Sequence, residues 1–321
     1  MKDAAPLILE HSLMTKLTMF MKDGAAKSGI VLDNYVYDLE SISQEFGGKP
    51  EIDLSTVDRI ISSPNYSLKI FLNELEGNIR KSGFARISQY AIAFESLQFA
   101  PLLRPQMCHA IGLNYKYKPN RPPFVKDMLK AGSSICANRE KIYLPKGLTL
   151  THVSAELCAI ISRKVKSISS LEEAKDSIGG YTIGNDVGAI AFARIAMDMA
   201  STCKSLDGFG PMGPVVVTSD SLDPTNVEIR LLINGELKVS GNTRDANFSI
   251  YEVVRDISEI MTLFPGDVIF LGAMGNEPLI NGPGDVVECS GSGIGTLTNE
   301  FIAGNWSLSE NYHQEFMKIP S

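Results

Sequence analysis

Five side chains able to do chemistry stand between residues 152 and 207: His152, Glu156, Asp186, Lys204 and Asp207. An imidazole, carboxylates and an ammonium can pass protons, hold anions or hold cations, depending on which of them meet. Residues two apart on a strand point to the same face. His152, Ser154 and Glu156 therefore project together if the strand in THVSAELCAII extends back that far. Other candidates carry less. Asp267 and Asp285 each follow Pro-Gly, the setting of a turn acid, and GSGIG at 291–295 lacks the following helix and terminal lysine of a phosphate loop, so it reads as a hairpin.

The elements that must hold these residues are mostly strands. Lys16 to Ile42 alternates apolar and polar residues around Asp23-Gly24, the pattern of short antiparallel strands. From Ser67, SLKIFLNELEGNIRKSG places Leu68, Ile70, Phe71, Leu75 and Ile79 at helical spacing and stops at Gly83, so one helix closes this unit. FAPLLRPQ at 99–106 reads as a linker. It divides the chain near Arg104 into a small β-rich N-terminal domain, 1–103, and a larger domain, 104–321.

Beyond it lie many short apolar runs (CAIIS, PVVVT, VEIRLLI, DVIFLG) separated by Asn234-Gly235, Pro265-Gly266 and Pro283-Gly284 turns. Two helices interrupt them. SLEEAKDSI opens with the capping-box pair Ser170 and Glu173, and residues 248–264 carry an apolar face at Ile250, Val253, Val254, Ile257 and Ile260. The expected fold is α+β, predominantly β.

Bulk properties exclude several classes. With 321 residues, 44% of them hydrophobic, the chain can bury sizeable cores. A net charge of -7 without a basic run argues against a nucleic-acid surface, and no apolar run reaches the ~20 residues of a membrane span. Cys108, Cys136, Cys158, Cys203 and Cys289 are odd in number, lack CxxC spacing and read as reduced core residues. A soluble cytoplasmic protein is the expectation.

Several segments in order (KLTMF, GIVLDNYVYDLES, RPQMCHAIGLNY, FVK, SAELCAII, GYTIGNDVGA, KSLDGFGPMGP, INGELKVSGNT, TLFPGDVIFLG and GPGDVVECSGSGIGTLTN) resemble the fumarylacetoacetate hydrolase family over nearly the whole chain. The resemblance implies a mixed β-sandwich roll behind a small N-terminal domain, a homodimer built by the β domain, and a small-molecule substrate of the 1,3-dicarbonyl or 2-oxo acid type. It also implies Mg²⁺ or Mn²⁺ held by an ExE pair and the Asp of an NDV turn. Glu156 and Asp186 match two of these ligands, but Ser154 stands at the third. Losing a carboxylate ~4 Å from a unit charge forfeits about 4 kcal/mol at an effective dielectric of ~20. His152 on the same strand face could compensate with a nitrogen, which would favour Mn, Fe or Zn.

The family's His and Glu after GLNY, which activate water, correspond to Lys118 and Arg121, which read either as a cationic lid for an anionic substrate or as a solvated loop. Asn114 and Tyr115 match the NY pair, Lys126 the FxK lysine, and Lys204 with Asp207 the KxxD pattern; these are the implied substrate-binding residues. Lys204 could stabilise an enolate or bind a carboxylate, or simply pair with Asp207 or a neighbouring acid. Three readings stay open. One is a metal-dependent carbon–carbon hydrolase. The second is an enzyme repurposed for isomerisation, cyclisation, dehydration or decarboxylation, steered by Lys204 and Lys118. The third is a non-catalytic binding or dimerisation partner.

Overall fold

The computed structural model describes residues 14–48, 51–115, 122–275 and 277–319. One large sheet dominates it, in the order Ala91–Ala93, Tyr35–Asp38, Ala25–Leu32, Lys16–Lys22, Gly210–Thr218, Ile178–Asn185, Ala155–Ile161, Val268–Phe270, Met107–Gly112 and Lys126–Ala131. A second sheet runs Glu236–Asn242, Glu228–Ile233, Val286–Gly291, Gly295–Ser307 and Ile142–Lys146. Strands outweigh helices, as the short apolar runs require.

The central strand shows why. All of Ala155–Ile161 is buried, and apart from Glu156 it reads as a continuous apolar run rather than an alternating one. Leu157, Ala159 and Ile161 face a core shared with Ile229, Leu231, Cys289 and Leu297 of the second sheet. Cys158 and Ile160 face the opposite way, into a core closed by Ile42, Ile60, Leu72 and Ile79. The large sheet is thus a middle layer between helices and the second sheet. All five cysteines are free and buried.

The local signals appear where the sequence put them. Glu173 N–H donates to Ser170 Oγ at 3.1 Å, as the pair in SLEEAKDSI requires, and the helix Ile250–Ile260 carries a complete capping box of its own in Ser249 and Glu252. Asp267 accepts from Phe264 N–H at 2.7 Å and from Met107 N–H at 3.1 Å, and Asp285 from Asn281 N–H at 2.6 Å, so both acids stitch turns. Gly291 pairs with Gly295 in a hairpin.

Three expectations change. Among its described residues the N-terminal unit contains four α-helices, Leu39–Glu45, Val57–Ile61, Asn65–Ser82 and Phe84–Ile87, of which only the long one shows several turns of periodicity. Ile260, counted on the apolar helix face, is 76% exposed because the helix ends there. And the sheet continues across the division near Arg104, because Lys16 and Leu17 pair antiparallel with Val217 and Val216. That pairing joins residues about two hundred positions apart, a separation no local pattern encodes.

Candidate active site

Register builds the site. Ala155 pairs with Asn185 and Glu156 with Gly184, which brings Glu156 beside the turn that follows Asn185. The turn is tied back twice, by Asp186 N–H to the Ser154 carbonyl at 2.9 Å and by Ser154 N–H to Asn185 Oδ1 at 3.0 Å. Val187 N–H donates to the Phe209 carbonyl at 3.0 Å, fastening the same turn near the segment that carries Lys204. Lys204 itself caps the short helix Ala200–Cys203.

At the centre, Asp186 lies between two ammonium groups. Lys204 Nζ donates to its Oδ2 and Lys130 Nζ to its Oδ1 at 3.0 Å. Lys130 spends its other protons on the carbonyls of Lys204, at 2.5 Å, and Val187, at 3.4 Å. All three side chains are buried. Burial alone would push the Asp186 carboxyl up, but the ammoniums of Lys204 and Lys130 pull it well below the usual carboxylate range. The same contacts, with Glu277 and Glu156 adding, hold Lys204 above the usual lysine range despite its burial.

Glu156 has a different fate. Its Oε2 accepts from Gly272 N–H at 2.7 Å and its Oε1 from Ser154 Oγ at 2.9 Å. Gly272 has φ +101, and a Cβ there would lie 2.6 Å from the Ile111 carbonyl oxygen, so only glycine brings this N–H close. Burial and the Asp186 charge push the Glu156 carboxyl up to about 8, against the pull of Lys204 and the Gly272 N–H. A serine at 154 suits a protonated neighbour, since a hydroxyl can donate to it or accept from it.

The raised carboxyl has a measurable consequence. Because the folded chain binds the Glu156 proton more tightly than the unfolded one, its contribution to stability is complete below the ordinary 4.5 and is lost as pH rises through about 8. The melting temperature is therefore expected to fall as pH rises from about 4.5 to about 8, and Glu156→Gln to flatten that slope. Asp186 titrates with the opposite sign and far below this window, so a level wild-type profile would contradict the assignment.

The other expected residues separate. Tyr115 is buried, its hydroxyl finds no partner among the described residues, and burial followed by the Glu156 charge raises its pKa. Asn114 is buried but spent on the backbone: Nδ2 donates to the Phe248 and Leu271 carbonyls at 3.1 and 2.9 Å, and Oδ1 accepts from Phe248 N–H at 2.9 Å. It positions Tyr115 rather than offering a group to substrate.

Lys126 is exposed at the start of its strand; the buried lysine of that strand is Lys130, roughly 13 Å further along. Asp207 is exposed too and lines a separate cleft of about 540 Å³ with Tyr143, Phe192, Trp306 and Tyr312. It is not the partner of Lys204, because the Lys204 ammonium turns inward to Asp186. Lys118 and Arg121 lie outside the described residues. A cleft of about 620 Å³ elsewhere holds Arg80 and Arg139, but Glu76 and Asp33 match the first and Glu95 the second.

His152 is buried, with Nδ1 2.5 Å from Glu277 Oε2, close in charge but off the line of a hydrogen bond. Its Nε2 abuts Gly188, where an added Cβ would lie 1.9 Å away. Glu277, 36% exposed, comes from the turn after the Val268–Phe270 strand and adds charge at the edge of the site. Sequence reasoning missed both Lys130 and Glu277. A lysine amid the apolar run MLKA was the available signal for the first; Glu277 had none.

These donors do not fit Mg²⁺ or Mn²⁺. Both oxygens of Asp186 carry ammonium protons, and burial pushes the Glu156 carboxyl up to about 8, which favours its neutral form, a poor ligand for a hard cation. Neither nitrogen of His152 is open, one facing Glu277 and the other Gly188. Among the described residues, no group of three or more His, Cys, Asp or Glu is arranged around a metal position. A divalent ion on Asp186 would also stand near the ammonium groups, and each at ~4 Å would oppose it by about 8 kcal/mol at an effective dielectric of ~20.

The C-terminal domain model of fumarylacetoacetate (FAA) hydrolase matches residues 108–302. The chain belongs to the fumarylacetoacetate hydrolase family. It is 32% identical over 203 residues to the 4-hydroxyphenylacetate degradation bifunctional isomerase/decarboxylase of Escherichia coli, covering 60% of this chain and 46% of that enzyme. The match thus spans under half the length of that relative. It is 31% identical over 216 residues to the mitochondrial oxaloacetate tautomerase FAHD2A of Homo sapiens, covering 63% of this chain and 68% of that one.

Among solved structures of the family, the fumarylacetoacetate hydrolase of the psychrophile Exiguobacterium antarcticum superposes with a TM-score of 0.71 at 26% identity, covering 90% of this chain and 100% of the other. The expected family fold is therefore the fold of this chain. Among the described residues, no helix is long and apolar enough to cross a membrane.

Proposed function

We propose that the chain is an enzyme that isomerises an enolisable 2-oxo acid or β-dicarbonyl compound through its enol(ate). The observation that carries this reading is the buried Lys204 ammonium, held on Asp186 beside a Glu156 carboxyl. Lys204 presents fixed positive charge to the oxygen on which negative charge develops, and in a buried site such a group needs no reorganisation as the charge forms. Glu156, at about 8, can give up or take the proton at carbon near neutral pH. The unpartnered Tyr115 hydroxyl donates to a second substrate oxygen.

The relatives add support of a coarser kind: one is named as an isomerase/decarboxylase and another as a tautomerase. The test follows the enol absorbance of oxaloacetate in the presence of the purified chain, together with released pyruvate. Faster ketonisation without carbon–carbon cleavage is the expected result. Cleavage of an acylpyruvate with no acceleration of ketonisation would replace this reading with hydrolysis, and no change with either compound would remove it.

A further inference from the structure

We infer that the Lys204 ammonium, backed by Lys130, stands where a divalent cation would need to sit, and that the site takes a carboxylate-bearing keto or enol compound on this built-in cation. The inference deepens the isomerase reading and rests on it for the substrate class.

Three observations carry it. Among the described residues Asp186 is the one carboxylate here with both oxygens on ammonium groups, so the triad Lys130–Asp186–Lys204 by itself has one positive charge in excess, buried and fixed, with Glu277 at the edge of the site as its nearest counter-charge. Ser154 removes the negative charge that a cation would need on the neighbouring strand and instead gives Glu156 a hydrogen bond at 2.9 Å. The Tyr115 hydroxyl, buried and without a partner among the described residues, is a neutral donor in the field of Glu156. A fixed ammonium and a neutral donor suit a carboxylate or an enolate oxygen. They do not suit a second cation.

The test uses the full chain, stripped with chelator and desalted. Titration with Mn²⁺, read by the electron paramagnetic resonance of the free ion, is expected to find no stoichiometric site below roughly millimolar concentration. Oxalate, a planar dianion shaped like a 2-oxo acid enolate, is expected to raise the melting temperature by a few degrees at a hundredfold excess over its Kd. That shift should be equal in EDTA and in Mn²⁺, absent in Lys204→Met and partly restored in Lys204→Arg.

Stoichiometric micromolar Mn²⁺ binding, an oxalate shift seen only with Mn²⁺, no oxalate shift at all, or an unchanged shift in Lys204→Met would each overturn the inference. Its fate is separable from that of the isomerase reading. Ketonisation that requires Mn²⁺ sinks the built-in cation and leaves isomerisation standing, whereas metal-free oxalate binding without turnover does the reverse.

Discussion

Asp186→Asn is expected to lower the folding stability by about 3–5 kcal/mol, read by chemical denaturation followed by circular dichroism. The size comes from what the substitution leaves behind. Lys130 has no exposed side-chain surface and Lys204 only 6%, and both direct their ammonium groups at this one carboxylate. An amide can accept from them but cannot balance them, so two buried positive charges would face each other with only Glu277, at the edge of the site, as a nearby carboxylate charge. An exposed pair such as Lys27–Glu40, 39% and 59% exposed, contributes ~0–1 kcal/mol by comparison. A loss below about 1 kcal/mol at Asp186 would mean that water reaches the triad and that the charges are not confined as described.

Lys204→Met should leave the fold standing and remove the activity. The methionine keeps most of the apolar stem, and Lys130 with Asp186 remains a balanced pair at 3.0 Å. The two substitutions are therefore asymmetric although they break the same contact. With the ammonium gone, kcat/KM for enol ketonisation is expected to fall by about 10²–10³-fold, the usual cost of removing a preorganised donor at the developing charge. A fall carried by kcat places Lys204 at the transition state; a fall carried by KM alone makes it a substrate anchor. An unchanged kcat/KM would move the chemistry elsewhere.

Much of the framework was legible from local signals. Ser170 accepted from Glu173 N–H at the start of its helix, Asp267 and Asp285 closed their turns, and the apolar run CAIIS marked the buried strand Ala155–Ile161. Glu156, Asp186 and Lys204 were legible as well, through the family motifs that they match. What failed was assignment among similar residues. Lys126 was read as the FxK lysine, but Lys130 is the buried lysine of that strand, and nothing within four residues of either says which end of the strand meets the Asp186 turn. Asp207 was read as a site acid and faces an outer cleft.

The sequence alone determined the family, the strand-rich class and three of the groups at the centre, because apolar runs, caps and turn dipeptides act over a few residues. The tertiary structure decided the partners. Lys130, Ser154, Asp186, Lys204 and Gly272 come from separate segments, and the sheet register sets which of them touch. Whether a buried carboxylate serves a metal or a lysine depends on which charge lies within about 4 Å of it, since electrostatic energy falls with distance and rises with burial. Spacing along the chain carries neither quantity. The family resemblance therefore pointed to Mg²⁺ or Mn²⁺, and the packed side chains put two ammonium groups on Asp186.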